Sequence, residues 1–208
     1  MKASPATVYI VDDDSAVRSA LRLLLKSVGL SASTFDSARA FLDAYSDDWS
    51  GCVLLDVRMP GMSGPALQQE LNLRGCALPV IFITGHGDVT MAVEAMQHGA
   101  FDFVEKPFHD QDLLERVESA LEHDARLRGE LAERHLIRER FESLTPRERE
   151  VLQHVTHGSS NKVMAYDLNI SQRTIEIHRA RLMEKMQAPS LAQLVRMTLT
   201  LAPPGALI

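Results

Sequence analysis

The fold of this chain is decided by the stretch Val53-Leu54-Leu55-Asp56-Val57-Arg58-Met59-Pro60-Gly61. The short apolar run at its start predicts a buried strand, and Met59-Pro60-Gly61 predicts that the strand gives way to a loop. Asp56 therefore lies at the carboxyl end of the strand, where open parallel sheets place their functional groups. A lone aspartate at such a position more often caps the following helix, so the interpretation of Asp56 depends on residues elsewhere in the chain.

Apolar strands and helical segments alternate on both sides of this stretch. Besides 53–55, strands are predicted at 7–11, 31–35, 80–83 and 101–105. Each of the first four strands is followed by apolar residues at helical spacing, in 15–28, from 37 onward, through 66–71 and in 89–98, with Asp88 as the expected cap of the last. This alternation predicts an α/β doubly wound fold with a five-stranded parallel sheet. Right-handed crossovers then bring the carboxyl ends of the strands to one edge.

The chain is predicted to be helical from Asp110 onward. Charged residues dominate 125–141, which predicts a long, largely exposed helix, and a flexible charged linker is the alternative. The segment 144–148, Leu-Thr-Pro-Arg-Glu, has the sequence of a helix start with a capping box. Four short helices follow, with Asn161 as the expected cap of the second and Ser171 of the third. The tight turn between these two predicts a helix-turn-helix.

These patterns predict two domains and limit the classes of function. We expect an α/β domain at 6–124, a helical linker at 125–141, an all-α four-helix domain at 142–205 and a disordered tail. No apolar run approaches the roughly 18 residues that span a bilayer, and the N-terminus lacks the apolar core of a signal peptide. We therefore expect a cytoplasmic protein with no membrane contact, in which Cys52 and Cys76 stay reduced.

Charge is unevenly distributed between the two ends. From Glu142 onward the chain carries 8 Lys+Arg against 6 Asp+Glu, a net charge of +2, and the remainder carries 14 against 22, a net charge of −8. A mildly basic end on an acidic protein indicates different partners for the two domains, although +2 alone is a weak signal.

Polar residues at the strand ends form an acidic cluster. Asp12 and Asp13 follow the first strand, Asp56 the third, Thr84 the fourth and Lys106 the fifth. Carboxylates this close together repel one another unless a cation lies among them, and a few carboxylates with waters suit Mg²⁺. The set predicts a phosphoryl acceptor, with Asp56 as nucleophile, Mg²⁺ and Lys106 offsetting charge, and Thr84 donating a hydrogen bond.

Residues 6–124 resemble the receiver domain of two-component response regulators. The resemblance rests on four motifs, Val11-Asp12-Asp13-Asp14, Asp56-Val57-Arg58-Met59-Pro60-Gly61-Met62-Ser63-Gly64, Thr84-Gly85-His86-Gly87 and Phe103-Val104-Glu105-Lys106-Pro107-Phe108. It implies a flavodoxin-like fold and phosphorylation of Asp56 from the phosphohistidine of a sensor histidine kinase. It also implies that Mg²⁺ binds Asp13, Asp56 and the backbone carbonyl of Arg58 directly, and Asp12 through water.

The same resemblance implies a conformational switch. Thr84 matches the switch hydroxyl and would move toward the phosphoryl group, while Phe103 matches the aromatic position that turns inward. The family often has Tyr where Phe103 stands, so any signalling that needs the tyrosine hydroxyl is lost here. The Lys106–Pro107 bond would be cis.

Residues 141–205 resemble the LuxR-type helix-turn-helix of the NarL/FixJ response regulators. The match runs through Leu144–Leu152, Asn161-Lys162, Ala165, Leu168, Ile170-Ser171, Arg173-Thr174-Ile175, His178 and Lys185-Met186. Taken whole, the chain resembles the FixJ subfamily, and within it the StyR-like regulators of catabolic operons. The helix from Ser171 is then the recognition helix, with Ile175, Leu182 and Met186 facing the core.

The other side of the recognition helix and its flanks would contact double-stranded DNA. Expected phosphate contacts come from Lys162, Arg173, Thr174, His178 and Arg181. Expected base-edge contacts come from Glu176, Ile177 and Ala180. Glu176 can accept a hydrogen bond from a cytosine amino group. The alternative for His178 is a hydrogen-bonded position inside the fold, and the alternative for the whole domain is a protein-binding module.

A single module of this size offers little affinity, so we expect a homodimer on a two-fold-symmetric site. Phosphorylation would favour the dimer through the face formed by 88–98, 101–105 and the helix from 110. The dimer would regulate transcription, in the direction of activation, with RNA polymerase as a further partner. The alternatives are a constitutive DNA binder and an aspartyl-phosphate hydrolase. Such hydrolases place a second Asp two residues after the nucleophile, where this chain has Arg58, so we do not expect an enzyme.

Overall fold

The computed structural model describes residues 6–85, 94 and 96–201. The chain divides into two compact units, one reaching to Arg128 and the other beginning at Gly129. The helix predicted at 89–98, with its cap Asp88, lies mostly outside the described residues, and so does the tail at 202–208. The domain boundaries that the sequence suggests at 124 and 142 stay predictions.

The first unit alternates strands and helices. Its elements are β1 (Thr7–Val11), α1 (Ser15–Ser27), β2 (Ser31–Phe35), α2 (Ala38–Ala44), β3 (Gly51–Asp56), α3 (Gly64–Leu73), β4 (Val80–Thr84) and β5 (Asp102–Glu105). The strands pair in parallel in the order β2-β1-β3-β4-β5. This confirms the predicted doubly wound α/β fold, whose strand order reverses between β1 and β3.

The strand that carries Asp56 begins earlier than its apolar run indicates. β3 starts at Gly51 rather than at Val53, because Gly51 and Cys52 continue the ladder opposite Thr7 and Val8 of β1. The sheet therefore holds six residues of β3 between β1 and β4, and Asp56 ends the strand opposite Ile83. A central strand with neighbours on both sides gives this carboxylate a rigid base.

Alternate residues of the central strands fill two apolar layers, one on each face of the sheet. On one face Val53, Leu55 and Phe82 pack with Phe41 and Leu67 of the helices α2 and α3. On the other face a second set of buried side chains packs together, comprising Ile10, Leu54, Ile81 and Ile83 of the sheet, Leu21 and Leu25 of α1, and Leu113 and Val117 farther along the chain. Burial on both faces is why these strands read as continuous apolar runs in the sequence.

A single long helix, α4 (Asp110–Glu142), follows β5. It confirms the helical interpretation of the charged segment and excludes the flexible alternative. Its first turns supply Leu113, Val117 and Ala120 to the core of the first unit. Asp124 is also buried there, where its carboxylate accepts hydrogen bonds from the Gly51 backbone N–H at 2.8 Å and from Arg128 Nε at 2.9 Å.

The second unit contains four short helices, α5 (Pro146–Thr156), α6 (Asn161–Asp167), α7 (Gln172–Met186) and α8 (Leu191–Leu201). The predicted capping box is confirmed, because Thr145 and Glu148 each bond the other's backbone N–H. Ser171 caps α7 as predicted. The cap of α6 is Ser160 rather than Asn161, because the Ser160 hydroxyl accepts the bond from the Val163 N–H and Asn161 is already helical.

One apolar core holds these helices together. It includes Val151 of α5, Met164 of α6, Ile175 and Leu182 of α7, and Ile137 from the last turns of α4. The end of α4 therefore belongs structurally to the second unit. Throughout the described ranges, every helix is too short or too polar to cross a membrane.

Candidate phosphoacceptor site and nucleic-acid interface

Three of the predicted site residues meet at the carboxyl edge of the sheet. The ammonium group of Lys106 donates hydrogen bonds to Asp56 Oδ1 at 2.9 Å and to Asp12 Oδ2 at 3.2 Å. Lys106 follows β5, and its backbone N–H donates to the Thr84 carbonyl at the end of β4. A single cation therefore serves two carboxylates that come from the neighbouring strands β1 and β3.

The loop after β1 fixes Asp12 firmly. Its side chain is only 3% exposed, and Oδ1 accepts the Asp14 backbone N–H at 2.8 Å. Its backbone carbonyl accepts a hydrogen bond from Arg18 at 2.7 Å. Asp14 is the N-cap of α1, so the third aspartate of the motif holds the helix rather than the site. Asp13 lies between them and is exposed.

The loop after β3 fixes Asp56 in a similar way. Its second oxygen, Oδ2, accepts the Arg58 backbone N–H at 2.8 Å. The loop closes where the Gly64 N–H donates to the Val57 carbonyl at 3.0 Å. Gly64 packs so closely that an added Cβ would overlap the Asp56 backbone carbonyl and lie 3.0 Å from the ring of Phe82. Only glycine fits at this position without moving the backbone of Asp56.

Burial and charge set the protonation of the site. Burial raises the pKa of Asp56, and the charge of Asp12 adds to this, whereas the hydrogen bond and charge of Lys106 act in the opposite direction. For Lys106, burial lowers the pKa, but the hydrogen bonds and charges of Asp56 and Asp12 outweigh it and the pKa is raised. The site therefore holds a firmly protonated lysine and a carboxylate whose ionised form is disfavoured.

The two predicted switch residues differ in exposure. Thr84 is buried, and its hydroxyl donates to the Gly85 carbonyl at 3.1 Å. Phe103 lies on β5 with 37% of its surface exposed. The Lys106–Pro107 peptide bond is cis.

The donor set can be compared with the needs of Mg²⁺. In the described part of the chain, no three Asp, Glu, His or Cys side chains are grouped closely enough to hold a metal ion by themselves. Mg²⁺ nevertheless fits, because in phosphate-handling sites it takes one or two carboxylates and keeps several waters or phosphate oxygens. Here Asp12 and Asp56 share one ammonium group, and the pKa of Asp56 is raised by burial and by the charge of Asp12. A further cation would relieve that repulsion.

The predicted recognition helix has the expected two faces. Ile175, Leu182 and Met186 of α7 are buried, which confirms the predicted core face. On the other side, the exposed residues from the predicted DNA-contacting set are Arg173, Glu176, Ile177, Ala180 and Arg181, and Lys162 on α6 is exposed as well. Between α6 and α7, Asn169 adopts a left-handed conformation with φ 53°, which makes the tight turn.

Two of the predicted DNA contacts are only half-exposed. The Thr174 hydroxyl lies 2.8 Å from that of Ser171, so it takes part in the cap of α7. His178 Nδ1 is buried and has no hydrogen-bond partner within the described ranges, which does not support the alternative of a hydrogen-bonded position inside the fold.

Comparisons with known proteins match both units. The family described as "Response regulator receiver domain" matches residues 8–118, and "Bacterial regulatory proteins, luxR family" matches residues 142–198. The chain is 49% identical over 192 residues to the transcriptional regulatory protein FixJ of Azorhizobium caulinodans, covering 92% of this chain and 91% of that protein. The chain belongs to the NarL/FixJ family of response regulators.

Two further relatives agree with this assignment. The response regulator protein TodT of Pseudomonas putida is 43% identical over 198 residues, covering 95% of this chain and 87% of TodT. The solved structure of the response regulator StyR is 42% identical, covers 94% of this chain and 99% of StyR, and superposes with a TM-score of 0.88. This response regulator is therefore a transcription regulator of a two-component system, with a sensor kinase and DNA as its partners.

Several residues that shape the two sites were missed by sequence reasoning. In the sequence Gly64 is only the last residue of a motif, although its missing side chain lets Asp56 keep its position. Arg18 holds the Asp12 loop, and Arg179 of α7 bonds the Asn161 side chain of α6 at 2.5 Å. The type of these residues carries no signal of such a contact, because each partner lies in a different element or loop of the chain.

Proposed function

We propose that a sensor histidine kinase phosphorylates Asp56 of this response regulator in the presence of Mg²⁺. Phosphorylation then promotes a homodimer that binds a specific DNA sequence and activates transcription by RNA polymerase. The observation that carries the proposal is the Lys106 ammonium group, which bonds Asp12 and Asp56 together at the strand ends of a chain that also contains a helix-turn-helix.

The proposed reaction transfers a phosphoryl group from a histidine nitrogen to Asp56. An oxygen of the Asp56 carboxylate forms the new bond to phosphorus while the bond between phosphorus and the histidine nitrogen breaks. Lys106 would then neutralise charge on the phosphoryl oxygens, and the Arg58 N–H would orient the carboxylate through Oδ2. Mg²⁺, when bound, would supply further positive charge. Asp13, Asp56 and the Arg58 carbonyl are the proposed ligands, with Asp12 acting through water.

The proposed response is a change in the population of two receiver conformations. Thr84 would turn its hydroxyl to the new phosphoryl group and Phe103 would turn from the surface into the space vacated. The altered face around β5 would favour the dimer. In the dimer, two copies of α7 would read two half-sites, with phosphate contacts from Lys162, Arg173, Thr174, His178 and Arg181 and base-edge contacts from Glu176, Ile177 and Ala180.

The hydrolase alternative is not favoured by the site. Such an enzyme needs a second carboxylate as an acid two residues after the nucleophile, and that position is Arg58, whose N–H orients Asp56.

The test is incubation of the full chain with acetyl phosphate and Mg²⁺, followed by intact mass and sedimentation measurements. We expect wild type to gain one phosphoryl group and to dimerise, and Asp56→Asn to do neither. Asp36→Asn is the matched control, because Asp36 also follows a strand at this edge but is exposed. A dimer formed equally well by Asp56→Asn would contradict the proposed switch, and a wild type that is never phosphorylated would contradict the proposed site.

A further inference from the structure

The C-terminal end of the predicted recognition helix is held by residues outside the predicted DNA-contacting set. α7 ends at Met186, and Gln187 follows in a left-handed conformation with φ 50°. The last carbonyls of any helix lack partners inside the helix and carry partial negative charge. A cationic donor placed there satisfies them and fixes the direction of the helix axis.

Arg140 of the long helix α4 is such a donor. Its Nη2 donates to Gln187 Oε1 at 2.5 Å and its Nη1 to the Met186 carbonyl at 3.4 Å. Its Nε atom is buried. The helical turn that carries Arg140 is anchored, because Ile137 is part of the same core as Met186 and the Phe141 ring packs against that core and under Arg149, whose guanidinium carbon is 5.2 Å from the ring centroid.

We propose that Arg140 is a positioning residue for DNA reading, which holds the C-terminal end of the recognition helix α7 in its working orientation. The inference rests on the proposed role of α7 in binding DNA. It adds a residue outside the helix-turn-helix, on the helix that precedes it.

The geometry explains why such a support matters. Base-edge hydrogen bonds carry the sequence information and need side chains held to within about 0.5 Å of the productive geometry, whereas phosphate contacts carry no sequence information. Near the same end of α7, Lys185 donates to Glu148 at 2.6 Å and to the Ser143 carbonyl at 3.3 Å. Arg140 bonds the last turn from α4, and Lys185 bonds it to the start of α5, so the helix end is held at two points. Removing either contact would let the C-terminal end of α7 tilt.

The test compares Arg140→Met with Arg138→Met in the full chain. Methionine keeps much of the packing of the arginine stem and removes its charge and donors, and Arg138 is an exposed residue of the same helix. The probe is a duplex selected by the wild-type protein from a random pool in the presence of acetyl phosphate and Mg²⁺. A scrambled duplex of equal length measures non-specific binding, and each affinity is measured across a range of salt concentrations.

We expect Arg140→Met to bind the selected duplex about tenfold more weakly than wild type, the scale of losing charged hydrogen bonds. Binding to the scrambled duplex and the salt slope should stay as in wild type. Arg140→Lys should recover part of the loss, because it restores the charge but not the planar fork. Gln187→Ala removes the side chain that accepts the Arg140 hydrogen bond, at an exposed position. It should weaken binding to the selected duplex and leave binding to the scrambled duplex unchanged.

Three results would overturn the inference. Equal affinities for Arg140→Met and Arg138→Met would remove the positioning role. A loss of affinity for both duplexes, with a salt slope lower by about one, would make Arg140 a phosphate contact. A loss explained fully by the unfolded fraction, measured by circular dichroism at the same temperature, would make it a purely structural residue. If the wild type enriches no sequence from the pool, the proposed DNA reading fails first, and this inference fails with it.

Discussion

Asp56 in the first unit and Glu148 in the second are both carboxylates that accept a hydrogen bond from a lysine ammonium group. The Lys106–Asp56 distance is 2.9 Å, and the Lys185–Glu148 distance is 2.6 Å. Both carboxylates have little exposed surface, at 13% and 3% of the side chain. The pKa of Asp56 is nevertheless raised and that of Glu148 is lowered.

The difference comes from the other partners of each carboxylate. Burial raises the pKa of both groups. Glu148 has Lys185 as its cation and also accepts the Thr145 backbone N–H at 2.9 Å, and these bonds outweigh burial. Asp56 shares its lysine with Asp12, whose negative charge acts against ionisation. The charge of Glu148 is therefore compensated by its partners, whereas Asp56 and Asp12 together have only one ammonium group between them.

This contrast separates a structural carboxylate from the proposed phosphoacceptor. Glu148 stabilises the fold because a lysine ammonium group and a backbone N–H both compensate its charge. Asp56 is held in an unfavourable environment that a bound cation or a transferred phosphoryl group would change, which is the pattern expected of a reactive site. The difference between the two carboxylates depends on their surroundings, and it is tested by mutations of the carboxylates and of residues that contact them.

The largest expected effect comes from Lys185→Met. It leaves the buried Glu148 charge without its cation, so we expect the second unit to lose about 3 kcal/mol of unfolding free energy. Thermal denaturation and hydrogen exchange of α5 and α7 measure this loss. The control is Arg147→Met, which breaks the exposed Arg147–Glu150 pair and should cost less than about 1 kcal/mol. Similar losses in the two variants would show that Glu148 does not depend on its lysine.

A smaller effect, confined to the first unit, is expected from Gly64→Ala. The added methyl group would overlap the Asp56 backbone carbonyl, so the loop must shift at a cost of about 2 kcal/mol. Because the shift moves Asp56, the proposed nucleophile, phosphorylation by acetyl phosphate should slow as well. Gly129→Ala is the control, since open space surrounds its Cβ position. Unchanged phosphorylation in Gly64→Ala would show that the close packing of Gly64 does not position Asp56.

The sequence predicted the elements that depend on local patterns. The alternation of strands and helices predicted the sheet, and the polar residues at the strand ends predicted that Asp12, Asp56 and Lys106 lie together. Contacts between residues distant in sequence were not predictable from those patterns. The sequence places Asp124 as the last residue of the α/β domain, beside the charged linker, and does not predict that its carboxylate is buried against the Gly51 N–H. Glu148 was predicted only as half of a capping box, because Lys185 lies 37 residues away.

The smallest expected effect, and the one most specific to the comparison, is a gain in stability from Asp56→Asn. A raised folded pKa means that Asp56 contributes favourably below its ordinary value of 3.8, and that this contribution is lost as pH rises through the folded value. A neutral amide should therefore stabilise the first unit by about 1 kcal/mol at neutral pH. That gain should disappear in acid.

Glu148→Gln gives the opposite sign under the same conditions. Because its folded pKa is lowered, Glu148 contributes stability above its ordinary value of 4.5, and that contribution is lost as pH falls through the folded value. Unfolding by urea across a pH series, with hydrogen exchange reporting each unit, measures both variants. Should Asp56→Asn prove less stable than wild type at neutral pH, the Lys106 hydrogen bond would outweigh burial and the charge of Asp12. The ionised form of Asp56 would then be stabilised by its lysine, as that of Glu148 is.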